Sequence, residues 1–207
     1  MPEFTLVIGN KNWSSWSLRP WLLMKHIGVA FDEVHIPLRQ PGTRQQILQH
    51  SPSGKIPVLI HKGQVIWDSL AIAEYLAEQF PQKQLWPANV AARARARSIS
   101  AEMHSGFQSL RTHLPMDILG HHPGQGINGE GVMGDITRVQ EIWRDSRAQW
   151  GAGGPFLFGK FSIADAMYAP VVSRFRTYGV ACDAVSSAYM EAVWNLPAMQ
   201  AWCAGCD

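Results

Sequence analysis

The chain has 207 residues, 18 Lys plus Arg against 16 Asp plus Glu, a net charge of +2 and only 16% charged residues, where ~25% is usual. Nothing in that balance points to nucleic acid. The longest stretch free of Asp, Glu, Lys and Arg, residues 192–206, is broken by Pro197 and falls short of the ~18 apolar residues a membrane span needs, so a soluble protein of one large domain or two small ones is expected.

In chain order, Phe4-Thr5-Leu6-Val7-Ile8 is rich in β-formers and closes at Gly9-Asn10, which predicts a strand. Leu18, Trp21, Leu22, Lys25 and His26 fall on helical spacing up to a stop at Gly28, with Pro20 expected in the first turn, where its missing N–H does no harm. Residues 31–37 alternate as a second strand, residues 42–49 form a short helical connection, and residues 56–61 and 64–67 flank the turn Lys62-Gly63 as a hairpin. An amphipathic helix over Ser69–Gln79 ends before Phe80-Pro81. This β-α-β-α-β-β-α order is thioredoxin-like, and nothing later repeats it. Residues 81–87 form a proline-bounded linker pinned by Leu85 and Trp86. Beyond it only helical patterns follow: residues 88 to about 114 as one long helix, then 136–150, 163–178 and 188–194. The glycine-rich segment 120–134 is long enough for a mobile loop. The expected fold is an α/β thioredoxin-like N-terminal domain (residues 1–80), the linker, and an all-α C-terminal domain (residues 88–207).

Met1-Pro2-Glu3 leads into no basic region or apolar signal core, so the cytoplasm is the expected compartment. Three cysteines, Cys182, Cys203 and Cys206, do not make a disulfide framework. Cys203-Ala204-Gly205-Cys206 has redox spacing but ends the chain instead of opening a helix, and reads as a frayed tail. Nine tryptophans with few charges imply more apolar surface than one copy hides, hence self-association.

Three segments carry chemistry. Asn12-Trp13-Ser14-Ser15-Trp16-Ser17-Leu18-Arg19 lies where the first strand gives way to the first helix. Helix N-termini present unpaired N–H groups and partial positive charge that stabilise an anion such as a thiolate; capping needs one serine, and here there are three within four positions. Lys55-Ile56-Pro57 precedes the hairpin, and a cis bond at that proline would turn the Ile56 N–H and C=O outward toward an extended peptide. Asp68-Ser69 opens the third helix, either as a cap or as a grip for a ligand's amino and carboxylate groups.

In this order, within a thioredoxin-like unit followed by a helical domain, the three segments resemble the cytosolic glutathione transferases over nearly the whole chain. Ser14-Ser15-Trp16-Ser17-Leu18-Arg19 is similar to the Ser-Ser-Cys-Ser-aromatic-Arg signature of the zeta class, the maleylacetoacetate isomerases, with Trp16 in place of the cysteine and Leu18 in place of the aromatic residue. The resemblance implies that glutathione is the co-substrate. Ser14 would hold its thiolate, with Ser15 as the fallback, and the Ile56 backbone beside Pro57 would pair with its cysteinyl part. Asp68 and Ser69 would grip its γ-glutamyl end, and Lys55 would reach toward the tripeptide. It also implies a homodimer. Ser162-Ile163-Ala164-Asp165 reads as a capping box that matches the family's buried C-terminal helix and carries folding, not catalysis.

Ile99-Ser100 and Gly106-Phe107-Gln108 resemble the zeta pattern too, so the long helix is expected to face the cleft between the domains. Glu102, His104, Gln108 and Arg111 are then candidates for the electrophile side, set against ordinary solvated roles. Arg111, or Arg19 or Arg176, would suit an acidic co-substrate. Trp13 and Trp16 either floor an apolar pocket or belong to the core. His121-His122 in the glycine-rich loop, read as having no acid or cysteine nearby, are weak evidence for a metal site, and no metal is expected. Three readings follow: a glutathione S-transferase or a glutathione-dependent isomerase, a non-catalytic glutathione-binding module, and a disulfide reductase using Cys203 and Cys206. Trp16 in place of the class's cysteine weakens the isomerase version.

Overall fold

The computed structural model describes residues 2–206. Four strands, β1 (Phe4–Ile8), β2 (Phe31–His35), β3 (Val58–His61) and β4 (Gln64–Trp67), form one sheet in the order β2-β1-β3-β4. β1 runs parallel to β2 and antiparallel to β3, and β3 pairs antiparallel with β4 across Lys62-Gly63. Alternation along β1 sets the two faces. Phe4, Leu6 and Ile8 point into the large core shared with α1 (Ser15–Ile27) and α3 (Ser69–Gln79), while Val7 points to a smaller cluster with Ile36, Ile47 of α2 (Thr43–Leu48) and Val58.

The helical region comprises α4 (Val90–Ser105), α5 (Gln108–His113), α6 (Val132–Trp150), α7 (Ile163–Tyr178), α8 (Ala184–Trp194) and α9 (Pro197–Ala204). α7 is the buried centre, enclosed on almost every side, with apolar residues around most of it and Asp165, Ser173, Arg174 and Thr177 as buried polar exceptions. Its N-terminus is closed by the capping box of Ser162 and Asp165. The Asp165 carboxylate also accepts from the Leu157 N–H at 3.1 Å, so one buried acid ties a loop to a helix start. Large side chains of both regions join one continuous core.

Four expectations need correction. Pro20 lies in the second turn of α1, because the helix starts at Ser15; the Trp16 carbonyl therefore receives no N–H from it. The helix expected over residues 88 to about 114 breaks at Gly106 and Phe107, the latter at φ 58°, so α5 leaves α4 in a new direction. Segment 120–134 is anchored: His122 N–H donates to Thr177 O at 2.8 Å, Gly124 N–H to Tyr178 O at 2.9 Å, and a Cβ on Gly126 would meet His113 O at 2.3 Å. The tail through Cys206 is not frayed. α9 packs on α1, with Trp202 fully buried, its Nε1–H donating to Lys11 O at 2.9 Å and its ring edge-on to Trp21.

Candidate functional site

The Asn10-to-Ser15 turn is built from its own backbone. Ser14 N–H donates to Asn10 O at 2.9 Å, Ser15 N–H to Trp13 O at 2.9 Å, and Ser17 and Leu18 N–H to Ser14 O. The free amides expected at this helix start are thus largely occupied inside the turn, and anion stabilisation falls to side chains. Ser14 Oγ–H donates to Ser17 Oγ at 2.7 Å, and buried Ser17 Oγ also accepts the Gly9 N–H at 3.2 Å. Gly9 is needed there: a Cβ would come within 2.7 Å of Leu38.

A cavity of about 760 Å³ opens beside this turn, walled by Trp13, Ser14, Trp16, Leu38, Ser53, Lys55, Ile56, Pro57, Trp67, Asp68, Ser69 and His104. The Ile56–Pro57 peptide is cis. Asp68 caps α3, its Oδ1 accepting from Leu70 N–H at 2.8 Å and Ala71 N–H at 3.3 Å, while its Oδ2 lies 3.0 Å from His104 Nε2. Its backbone sits at φ 77°, ψ 131°, a conformation that costs a non-glycine residue on the order of 1–3 kcal/mol and tends to occur where a side chain must be aimed. The His104 imidazole meets the Trp16 ring edge-on at 5.2 Å. Burial pushes its pKa down and the neighbouring Arg19 and Arg111 add to this, with Asp68 pulling it up.

Of the sequence candidates, Trp13, Ser14, Trp16, Lys55, Ile56, Pro57, Asp68, Ser69 and His104 share this wall, whereas Ser15, Gln108 and Arg111 are not part of it. Ser15 is buried behind Ser14, its Oγ accepting from Arg174 Nη2 at 3.4 Å. Gln108 donates to Thr112 on an exposed face. The Arg111 guanidinium turns back onto the carbonyls of Met103, His104 and Gly106, closing the C-terminus of α4, and stacks on Trp16. Glu102 is engaged by Arg138 and Arg176 by Glu191. His122 does have an acid nearby, Asp117 at 3.0 Å, although among the described residues no three His, Cys, Asp or Glu side chains converge as a metal site. Cys182, Cys203 and Cys206 form no disulfide among the described residues; burial pushes the Cys182 thiol up to about 11 and raises Cys203 as well.

Sequence reasoning missed Leu38, Ser53 and Trp67 on the wall and Arg174 behind it. Ser53 and Trp67 adjoin recognised motifs and were within reach. Arg174 sits in the middle of a buried helix, 159 positions from its partner, with no local signal.

A four-stranded mixed sheet flanked by helices, joined to a helical bundle with a cleft at the serine turn, is the architecture of glutathione transferases. Residues 13–79 match the glutathione S-transferase N-terminal domain and residues 91–205 the glutathione S-transferase C-terminal domain, so the chain belongs to the glutathione S-transferase family. It is 28% identical over 166 residues to the probable maleylacetoacetate isomerase of Caenorhabditis elegans, covering 78% of this chain and 75% of that one. It is 27% identical over 179 residues to the maleylacetoacetate isomerase of Pseudomonas aeruginosa, covering 83% and 81%. A solved glutathione transferase homolog from Burkholderia with bound glutathione shares the fold at a TM-score of 0.71 and 23% identity, over 96% of this chain and 95% of that one.

Proposed function

We propose that the protein is a glutathione S-transferase in which Ser14 stabilises the thiolate of glutathione for attack on a small electrophile. The observation that carries this is the Ser14 hydroxyl on the cavity wall with Ser17 behind it. When Ser14 turns its O–H toward sulfur, the Ser17 hydroxyl can reverse and donate to Ser14 Oγ, so no buried oxygen loses its partner. A thiol ionises near 8.5 in water, and each unit of lowering needs about 1.4 kcal/mol in favour of the charged form, within reach of charge-assisted hydrogen bonds. The Ile56 backbone, Lys55, Pro57, Asp68 and Ser69 would hold the tripeptide. Trp13, Trp16 and His104 would face the electrophile, leaving Ser15, Gln108 and Arg111 to support the site from outside its wall.

Ultraviolet thiolate absorbance on adding glutathione tests the reading. We expect a band at neutral pH that Ser14→Ala removes, with kcat/KM falling about 10²-fold, the scale for losing one donor to a developing anion. A parent protein with no band would be a binding module. A second reading, glutathione-dependent cis-trans isomerisation, is favoured by the maleylacetoacetate isomerase relatives. There addition of the thiolate to a double bond permits rotation and glutathione is expelled unchanged. Turnover of maleylacetoacetate-like dicarboxylates, measured against halogenated aromatics and peroxides, separates the two. We further propose a cytoplasmic protein whose two domains meet at residues 81–87, and a homodimer that covers exposed Val65, Trp67 and Val90; light scattering reads the mass.

A further inference from the structure

Behind the serine turn lie three arginines, Arg19, Arg111 and Arg174, with no ion-paired carboxylate among the described residues. Arg19 and Arg174 are buried. Arg174, reaching from α7, donates through Nη1 to Pro170 O at 3.2 Å and through Nη2 to Ser15 Oγ at 3.4 Å, while its Nε has no partner among the described residues. Arg19 donates to Ser69 Oγ at 3.4 Å and leaves Nε and Nη2 unpartnered. Trp16 lies between Arg19 and Arg111, its ring centre 4.3 and 4.9 Å from their guanidinium carbons. The acids that bear on them are engaged elsewhere: Asp68 on His104 and the α3 cap, Asp135 on the Leu110 N–H. Burial, together with Arg111, pushes Arg174 down to about 9, which still leaves it charged at neutral pH.

Buried cations without a counter-charge destabilise a fold, and with the turn's own amides occupied they supply the positive field for an anion at the serines. We propose that Arg174 is a positioning residue for the thiolate: from behind the cavity wall it holds Ser15 Oγ as an acceptor, so the oriented Ser15 hydroxyl and the guanidinium charge both favour a sulfur anion at neighbouring Ser14. This rests on the glutathione reading above. Ionisation breaks only the S–H bond; the proton leaves to water, the electron pair stays on sulfur, and no arginine or serine changes protonation. Other titratable groups that face this spot are Arg19 on α1, Asp68 at the start of α3, His104 on α4, Arg111 on α5 and Tyr178 on α7.

The test is the pH titration of the thiolate band of bound glutathione in the full chain, with S-methylglutathione affinity measured in parallel because that ligand has no proton to lose. We expect Arg174→Met to raise the titration midpoint by about one unit, a tenfold loss of thiolate at fixed pH, with S-methylglutathione affinity within about threefold of the parent and thermal stability unchanged or higher. Arg174→Lys should restore most of the shift. Ser15→Ala, which keeps the arginine, should raise the midpoint similarly and add little in combination. A midpoint unmoved in Arg174→Met or in Ser15→Ala overturns the inference, as does parallel loss of S-methylglutathione binding and thiolate, which would make Arg174 a packing residue only. Absence of a thiolate band in the parent strikes the glutathione reading itself.

Discussion

At the cavity wall His104 and Asp68 face each other from α4 and the start of α3, and the proton on the imidazole sets what Asp68 offers a ligand. The native pKa of His104 lies below its ordinary value. Between that native value and ~6.5 the unfolded chain binds a proton that the native chain does not, so stability falls as pH drops through this window. At still lower pH the imidazolium pairs with Asp68 Oδ2 and competes with a ligand ammonium. His104→Gln should therefore flatten the acid limb of denaturation measured by urea titration, relative to the parent. It should also remove the rise in glutathione KM that sets in as pH falls through the lowered native pKa of His104. An acid limb and KM profile identical to the parent would show that His104 does not titrate against Asp68. From sequence, His104 was one candidate among four on a helix; its partner is 36 positions away, and only the packing of α4 on α3 selects it.

Among the elements, α7 shows how a local signal becomes a global one. Ser162 and Asp165 were legible as a cap because a capping box is local, four residues long and independent of packing. Their burial is not local: with Leu157 N–H added, the Asp165 carboxylate serves three donors in a site without exposure, and that burial pushes its pKa up to about 6 against the pull of those donors. Asp165→Ala should cost about 3–5 kcal/mol, from lost capping and orphaned donors. That is a drop of roughly 6–20 °C in Tm for a chain of this size; calorimetry reads it, and glutathione affinity of the folded fraction should hold. The α4 to α5 break escaped the sequence reading for the opposite reason. Helix formers run on both sides of Gly106, and the turn is taken by Phe107 in a left-handed conformation that its residue type does not advertise.

For the molecule as a whole, the first and last segments are mutually dependent. Trp202 on α9 holds Lys11 O, immediately before the serine turn, and packs on Trp21. Trp202→Ala should destabilise by about 3–5 kcal/mol, as for other buried aromatic truncations. The denaturant midpoint should fall without a change in m, and the serine turn should loosen, so the thiolate band weakens even where the fold survives. An unchanged midpoint would mean that α9 is dispensable. Replacing Cys203 and Cys206 leaves these contacts intact and should leave thiolate formation alone.

Strands, the hairpin, α3, α7 and the order of the two regions were determined by the sequence itself, because alternation, helical spacing, turn residues and caps act over a few positions. So was membership of a glutathione-linked fold, through three short motifs. What only the tertiary structure decided involves contacts between distant positions: Arg174 on Ser15, His104 on Asp68, Trp202 on Lys11, and the turning of Arg111 away from the cavity. Burial and buried charge are properties of the packed core, and no window of the chain short enough to read carries them.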